Sequence, residues 1–406
     1  MSQTENRPRN IICLATYFKG ADFIHECKAH GCHVVLITKE KMLREDWPRE
    51  SLDDVIAVPN DAGPPLFIDL LAFLGRKIKI DRIIALEEFD VVTAALMREH
   101  LCLPGLSSSG AKVFRDKLSM AVHGQRAGIN VPEFVPLVNA QEVDAYMKRV
   151  PGPWVIKPRS DVSAIGIRKV TEPLEVWRAI DEMNERQNLR ERASYYVLAR
   201  FIPGEVFHVD SVVKDGRVVF AGTNQYGRPP MQVAHQGGAY VSRTLPRGSE
   251  DEKTLLATNK KLVRALGLER GATHAEFIKS DADGKFYFLE IASRVGGAYI
   301  AEVLEAASGV NLWREWAKLE ITDAPAKIAP QRKEYAGIIL SLAKQEYPDT
   351  SGYVAEEIVH RVKKRHHAGL IVRSPRLERV NELLGEYGGR FAEDFVAVAP
   401  PPERPE

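Results

Sequence analysis

Two glutamates on either side of a predicted turn are the residues of this sequence best placed to do chemistry. In residues 274–297, HAEFIKSDADGKFYFLEIASRVGG, two β-type runs flank a turn. A three-residue loop, Ala282-Asp283-Gly284 with Gly284 left-handed, makes Asp281 and Lys285 its flanks and sets Glu276 opposite Glu290. Their Cβ atoms then lie about 5 Å apart, a like-charge pair that destabilises a hairpin unless a cation sits between. Magnesium suits such a place, because it takes one or two carboxylates and completes its shell with phosphates and water. The alternative is a two-residue loop, which sends the glutamates to opposite faces as solvated acids. In the three-residue register, alternation puts His274, Ala292 and Arg294 with the glutamates and Phe277, Tyr287, Leu289 and Ile291 on the core side.

A second signal is Lys157 inside the apolar run WVIKP (154–158). An unpaired ammonium is costly to bury, so a lysine in such a strand points to an anion. The small polar loop after it, RSDVSAIG (159–166), has backbone N–H groups that can wrap phosphate oxygens. The bland reading is a surface hairpin whose lysine reaches solvent along its stem.

These residues need a scaffold. The first hundred residues alternate apolar runs with helical stretches, which predicts a doubly wound α/β unit. Strands are expected at 10–16, 33–38, 54–58 and 81–86, and helices at 21–30, 65–75 and 89–99. The turn after the first strand holds only Gly20, with no G-x-G-x-x-G, and no G-x-x-x-x-G-K-[ST] loop occurs in the chain. From Val131 the pattern becomes α+β, with strands at 154–158, 166–170, 195–202, 206–213 and 218–223 and a turn at 214–217. A helix at 250–266 precedes the hairpin of 274–293. After Pro325 come a strand at 335–342 and a helix at 377–387, and residues 399–406 (APPPERPE) read as a Pro-rich disordered tail.

With residues 155–170, 198–210 and 274–297 quoted in that order after FRDK (114–117), the sequence resembles the ATP-grasp superfamily, and within it carboxylate-amine ligases of the L-amino acid ligase type. The resemblance covers roughly residues 10 to 320. It implies an α/β and α+β multidomain chain, an ATP-grasp fold behind an N-terminal Rossmann-like parallel sheet. The units would be 1–111 (Rossmann-like), 112–198 (first ATP-grasp subdomain with the phosphate lid), 199–324 (second subdomain with metal and acyl site), 325–398 (small C-terminal α/β unit) and 399–406 (disordered tail).

Carried over by position, the resemblance implies ATP phosphates on Lys117 and Lys157 and a lid containing Ser160, Ser163 and Gly166. Leu198, Ala199, Arg200, Phe201 and Ile202 match the hinge that holds adenine. Glu276 and Glu290 match the magnesium acids, Arg294 the arginine beside the transferring phosphate and acyl group, and Gly296 and Gly297 the turn toward the carboxylate substrate. The chain departs from the pattern at Ala199 and Arg200, where a hinge Glu is frequent, and at Val206, where a ribose-binding Glu is frequent; Glu205 or His208 is the substitute there. Ala292 stands where the family often has a metal-binding Asn.

The activity implied is amide or peptide bond formation driven by ATP through an acyl phosphate, with ADP and phosphate released. Its cofactors are ATP and Mg2+, with Mn2+ as an alternative ion; its substrates are small carboxylates and amines, amino acids among the options. Two rivals are a catalytically silent ATP-binding regulator and a biotin-dependent carboxylase component.

Other residues invite readings that do not hold. His25, Cys27, His30, Cys32 and His33 crowd together, but their spacing fits no zinc module and does fit a helix, a Gly31 stop and a buried strand. KKRHH (363–367) reads as a solvated basic face and Glu87 as an exposed loop acid. Arg228, His235 and Arg243 in 224–243 are substrate-contact candidates without a spacing argument. With 56 Lys+Arg against 55 Asp+Glu, a net charge of +1 gives no field for nucleic acid or anionic lipid. No apolar run approaches the roughly 18 residues of a membrane span, and four cysteines without a C-x-x-C pair suit a reducing compartment. A cytoplasmic protein is expected, with no nucleic-acid or membrane partner; a homodimer stays open.

Overall fold

In the computed structural model, residues 8–161, 166–322, 328 and 330–397 are described. The N-terminal part runs β1 (Asn10–Leu14), α1 (Ala21–Ala29), β2 (His33–Lys39), β3 (Asp54–Val58), α2 (Pro64–Gly75), β4 (Arg82–Ala85) and α3 (Val91–His100). Its strands form a parallel sheet in the order β3-β2-β1-β4. The strands are apolar on both faces because both are covered: Ile12, Leu14 and Val35 share a core with Phe67 and Leu71 of α2, and Ile11, Cys13 and Val34 one with Phe23 of α1. Cys27 and Cys32 lie in that second core beside Ile24, as the helix-stop-strand reading expects. Gly20 turns the chain into α1 with φ 82°, where a Cβ would lie 2.8 Å from Leu86 Cδ1, so only glycine fits.

Helices α4 (Ser108–Val113) and α5 (Lys117–Arg126) lead into β5 (Phe134–Pro136), α6 (Ala140–Arg149), β6 (Trp154–Pro158), β7 (Arg168–Val170), α7 (Pro173–Asn184) and β8 (Tyr196–Arg200). The four strands make an antiparallel sheet in the order β5-β8-β6-β7. One face packs Trp154, Ile156 and Leu198 against Val143 and Val176 of the two longer helices. The other face carries Lys157.

The remaining elements are β9 (Gly204–Lys214), β10 (Arg217–Tyr226), α8 (Pro230–Gln236), β11 (Tyr240–Thr244), α9 (Glu250–Leu266), β12 (Arg270–Ser280), β13 (Phe286–Ala292), α10 (Ile300–Ser308), α11 (Leu312–Ile321), β14 (Tyr335–Leu342), β15 (Ile358–Arg361), β16 (His367–Ser374) and α12 (Leu377–Asp394). Their strands form an antiparallel sheet of order β13-β12-β9-β10-β11-β14-β16-β15. The tract after Pro325 therefore adds its three strands to the sheet of β9 to β13 through the β11–β14 pairing. Helix α12 runs past Tyr387 through two glycines, because Phe391 and then Phe395 pack on the Tyr353 ring.

Along β9 the even-numbered residues show how the site is built. Val212 joins Phe220, Ala272 and Leu304 in the core shared with the N-terminal sheet. Asp210 and His208 follow as fully buried polar groups, and Val206 ends the row in a small apolar cluster with Ile202, Tyr226 and Ile278. Among the described residues, no helix is long and apolar enough to cross a membrane.

Candidate active site

Glu276 pairs with Glu290, but not by way of the expected loop. Ser280 N–H donates to Lys285 O and Gly284 N–H to Ser280 O, so the turn holds four residues, Asp281 to Gly284. Phe277 then faces Phe288, and a bulge between Glu276 and Phe277 in the pairing leaves Leu289 as the extra residue. The bulge restores the glutamate pairing and reverses the alternation near the turn. Phe286 and Phe288 enter the core with Phe277, whereas Tyr287 and Leu289, expected on the core side, pack with Ile202, Val206 and Ile278 on the other face. An apolar side chain and a carboxylate at adjacent positions, Leu289 and Glu290, thus serve the same cleft.

Lys117 opens α5, whose first turn is capped by Asp116 accepting from the N–H groups of Leu118 and Ser119. The buried Lys117 ammonium lies 2.7 Å from Glu290 Oε2 and donates to Asp161 O at 2.6 Å. The stem of the loop after β6 is held from the same turn: Lys117 N–H donates to Arg159 O, Arg159 Nε to Asp116 Oδ1 at 3.0 Å, and Arg115 Nη2 to Ser160 O at 2.8 Å. Lys157 is pushed down to about 8, first by burial and then by the charge of Lys117, with Glu290 opposing. Two lysines and a carboxylate therefore converge on one cleft.

Opposite them, Arg294 donates through Nη2 to Glu88 Oε2 at 2.7 Å and through Nη1 to Val295 O at 3.0 Å. Arg115 binds the other oxygen of Glu88. Burial acts to raise the Glu88 carboxyl, but Arg294, Arg115 and Lys117 overcome it and hold it down at about 2. Glu87 is 6% exposed, not an exposed loop acid, and lies 2.7 Å from Lys19 Nζ. Burial, with Arg294 nearby, lowers Lys19 despite that partner.

Beneath the glutamates is a row that sequence reasoning did not assemble. Tyr226 donates to Glu276 Oε1 at 2.6 Å, and His274 Nε2 lies 3.4 Å from the same oxygen. The His274 and His208 Nδ1 atoms sit 2.8 and 2.5 Å from the two oxygens of Asp210, and His208 Nε2 sits 2.8 Å from Ser242 Oγ. Burial opposes the His274 charge, yet Asp210 and Glu276 outweigh it and raise the imidazole to about 10. His208, Asp210 and His274 have donor atoms within 4.8 Å of one another. Their contacts are at hydrogen-bonding distances, tighter than two ligands sharing an ion in between would be.

The expected site residues are thus distributed unevenly. Lys117, Glu290 and Lys157 gather at the cleft, with Glu276 paired to Glu290 and Arg294 linked in through Glu88. Gly296 and Gly297 follow Arg294, and a Cβ on Gly296 would lie 2.8 Å from Asp210 Oδ1, so that turn closes directly over the Asp210–His274 pair. Ser160 contributes its carbonyl to the loop stem, and Gly166 returns from it with φ 70°. Ser163 lies outside the described residues, as does the His235 side chain. In the hinge, Leu198 points into the core behind its sheet, Ala199 is buried, Arg200 is exposed, Phe201 lies under Lys169 at 4.0 Å and Ile202 meets Val206.

Neither proposed substitute for the ribose acid takes the place of Val206 on its strand face. His208 is fully buried with both ring nitrogens engaged, and Glu205 falls on the strand face of Phe207, away from Val206. Arg243 shares that far face and donates to Gln225 Oε1 at 2.7 Å. Glu88, Arg115, Tyr226 and Asp210 were missed. Arg115 lay inside the FRDK motif and Glu88 beside the noted Glu87, but only the fold brings them together.

Residues 150–302 match the family model described as an ATP-grasp domain. The chain carries an ATP-grasp domain. Over 250 residues, the chain is 22% identical to the L-arginine-specific L-amino acid ligase of Bacillus subtilis, covering 60% of this chain and 59% of that protein. Carnosine synthase 1 of Homo sapiens is 21% identical over 346 residues, 80% of this chain and 40% of the relative. The chain thus spans 59% and 40% of the lengths of these two relatives. Among solved structures, L-amino acid ligase from Bacillus licheniformis superposes with a TM-score of 0.75 at 17% identity, covering 96% of this chain and 98% of that one. The ATP-grasp fold, with its parallel N-terminal sheet and two antiparallel sheets, is the architecture described above.

Proposed function

We propose that this protein is an ATP-dependent carboxylate-amine ligase acting through an acyl phosphate, with amino acids as its acyl substrates. The observation that carries the reading is the convergence of Lys117, Lys157 and Glu290 on one cleft, with Arg294 held in reach of it by Glu88. The ligases that the chain resembles support the substrate class.

In this reading the substrate carboxylate attacks the γ-phosphate of ATP, ADP leaves, and the amine then displaces phosphate from the acyl carbon and gives up a proton. Lys117 and Lys157 hold phosphate oxygens, and the apolar cluster of Ile202, Val206, Ile278 and Leu289 receives the base. The carboxylates of Glu276 and Glu290 suit a hard cation, and these two residues would hold magnesium. When bound, magnesium would neutralise phosphate charge. Arg294, a fixed cation, stabilises negative charge on the acyl group without reorganising, as phosphoryl and acyl transfer require.

The test is ADP release from Mg-ATP across a panel of amino and other small carboxylic acids, with hydroxylamine present to trap an acyl phosphate. Stimulation by particular acids with hydroxamate formed, lost in Glu290→Gln, supports the ligase. ATP binding without turnover across the panel favours a silent binder, the reading to which Ala199, Val206 and Ala292 lend support.

A further inference from the structure

The donor atoms around Glu276 are shared out in a way that limits what the acidic pair can hold. Glu276 Oε1 already takes the Tyr226 hydroxyl at 2.6 Å and faces His274 Nε2 at 3.4 Å. Glu290 Oε2 already faces the Lys117 ammonium at 2.7 Å. Each carboxylate therefore keeps one oxygen for a cation. Two residues along β13, Ala292 pairs with His274 and offers no donor atom. The Gly296 turn closes over the same histidine: a Cβ on Gly296 would lie 2.8 Å from Asp210 Oδ1 and 3.0 Å from His274 Nδ1. A second ion needs a bridging carboxylate with both oxygens free and a further ligand, and neither is on hand among the described residues.

The His274 ring is not free to turn away. Its Nδ1 is fixed on Asp210 Oδ1 at 2.8 Å, and Asp210 is fixed in turn by His208 at 2.5 Å, which is anchored on Ser242. The chain Ser242–His208–Asp210–His274–Glu276 runs from β11 through β9 to β12 within one sheet, the kind of support that orients a metal ligand from behind.

We propose that this site takes one divalent cation per bound nucleotide rather than two, and that Tyr226 and the Asp210-locked His274 are positioning residues that fix Glu276 Oε1 and so present its other oxygen to the ion. The inference rests on the ATP-binding half of the proposed function and not on the ligase chemistry.

Mn2+ is the probe, counted by electron paramagnetic resonance on the full chain with the non-hydrolysable analogue AMP-PNP, while nucleotide binding is measured separately by calorimetry. One Mn2+ per bound AMP-PNP is expected. Tyr226→Phe and His274→Gln should each weaken Mn2+ binding about tenfold, with metal-free nucleotide affinity within about twofold of wild type. Should His274→Gln not fold, Tyr226→Phe, which removes a single oxygen, carries the test alone. Two Mn2+ per nucleotide in the wild type, or unchanged Mn2+ affinity in Tyr226→Phe, overturns the proposal. No nucleotide binding at all overturns this proposal and the proposed function together, whereas one Mn2+ per nucleotide without acid-dependent turnover supports this one and sinks only the ligase reading.

Discussion

Glu88 accepts a hydrogen bond from Arg294 at 2.7 Å across 206 residues of sequence, and its other oxygen binds Arg115. The Glu88 carboxylate thus joins Arg294 to the turn that carries Lys117 and the loop stem. Glu88→Gln keeps the shape but removes the charge that both guanidiniums share. Misplacing a catalytic group by about 1 Å can cost about a hundredfold, so kcat/KM for the acid should fall by about that factor. Nucleotide affinity should change little. Steady-state kinetics beside nucleotide calorimetry separates the two, and a variant with unaltered kcat/KM would refute the linkage.

If Lys157 holds a phosphate as proposed, nucleotide binding should be pH-dependent. Its folded value of about 8 lies below the ordinary 10.5. Below pH 8 both folded and unfolded chains hold the proton, and the cost of burying the charge is fully present. As pH rises from 8 toward 10.5 the folded chain loses its proton first, and that cost is relieved, so this group's contribution to stability rises. Phosphate binding needs the charged form, so affinity for ATP should decline as pH rises above 8, with proton uptake on binding. Calorimetry at pH 7 and 9 in buffers of different ionisation heat checks this, and Lys157→Arg should flatten the profile.

Gly296→Ala places a methyl group against Asp210 and His274, at 2.8 and 3.0 Å from their nearest atoms. Because these are buried and mutually hydrogen-bonded, the glycine turn must move instead. Acid-dependent turnover should drop at least tenfold while circular dichroism stays native. Wild-type turnover would show that the turn has room to spare.

Gly222→Ala tests the packing of α10 on the sheet. A Cβ there would lie 2.3 Å from Leu304 Cδ2 in the core that joins the N-terminal sheet to the central one. Overpacking of this kind costs about 1–3 kcal/mol. A lower Tm is expected, with AMP-PNP affinity unchanged; an unshifted Tm would mean that Leu304 repacks freely.

Elements whose patterns are local were legible in the sequence alone. Strand Asp54–Val58, strand Trp154–Pro158 and helix Glu250–Leu266 stand at the expected bounds, because apolar period and caps act over neighbouring residues. The pairing of Glu276 with Glu290 was legible too, though by a loop the structure does not use. The features that local pattern leaves open depend on side chains distant in sequence. The bulge at Leu289 moved Tyr287 and Leu289 to the cleft face, since a one-residue slip reverses which side each residue takes. Burial turned Glu87 from a surface acid into the partner of Lys19, and the row from Ser242 to Glu276 forms only where β9, β11 and β12 come within one sheet. No spacing rule joins Glu88 to Arg294, because their contact is set by how two separately patterned sheets pack on a common core.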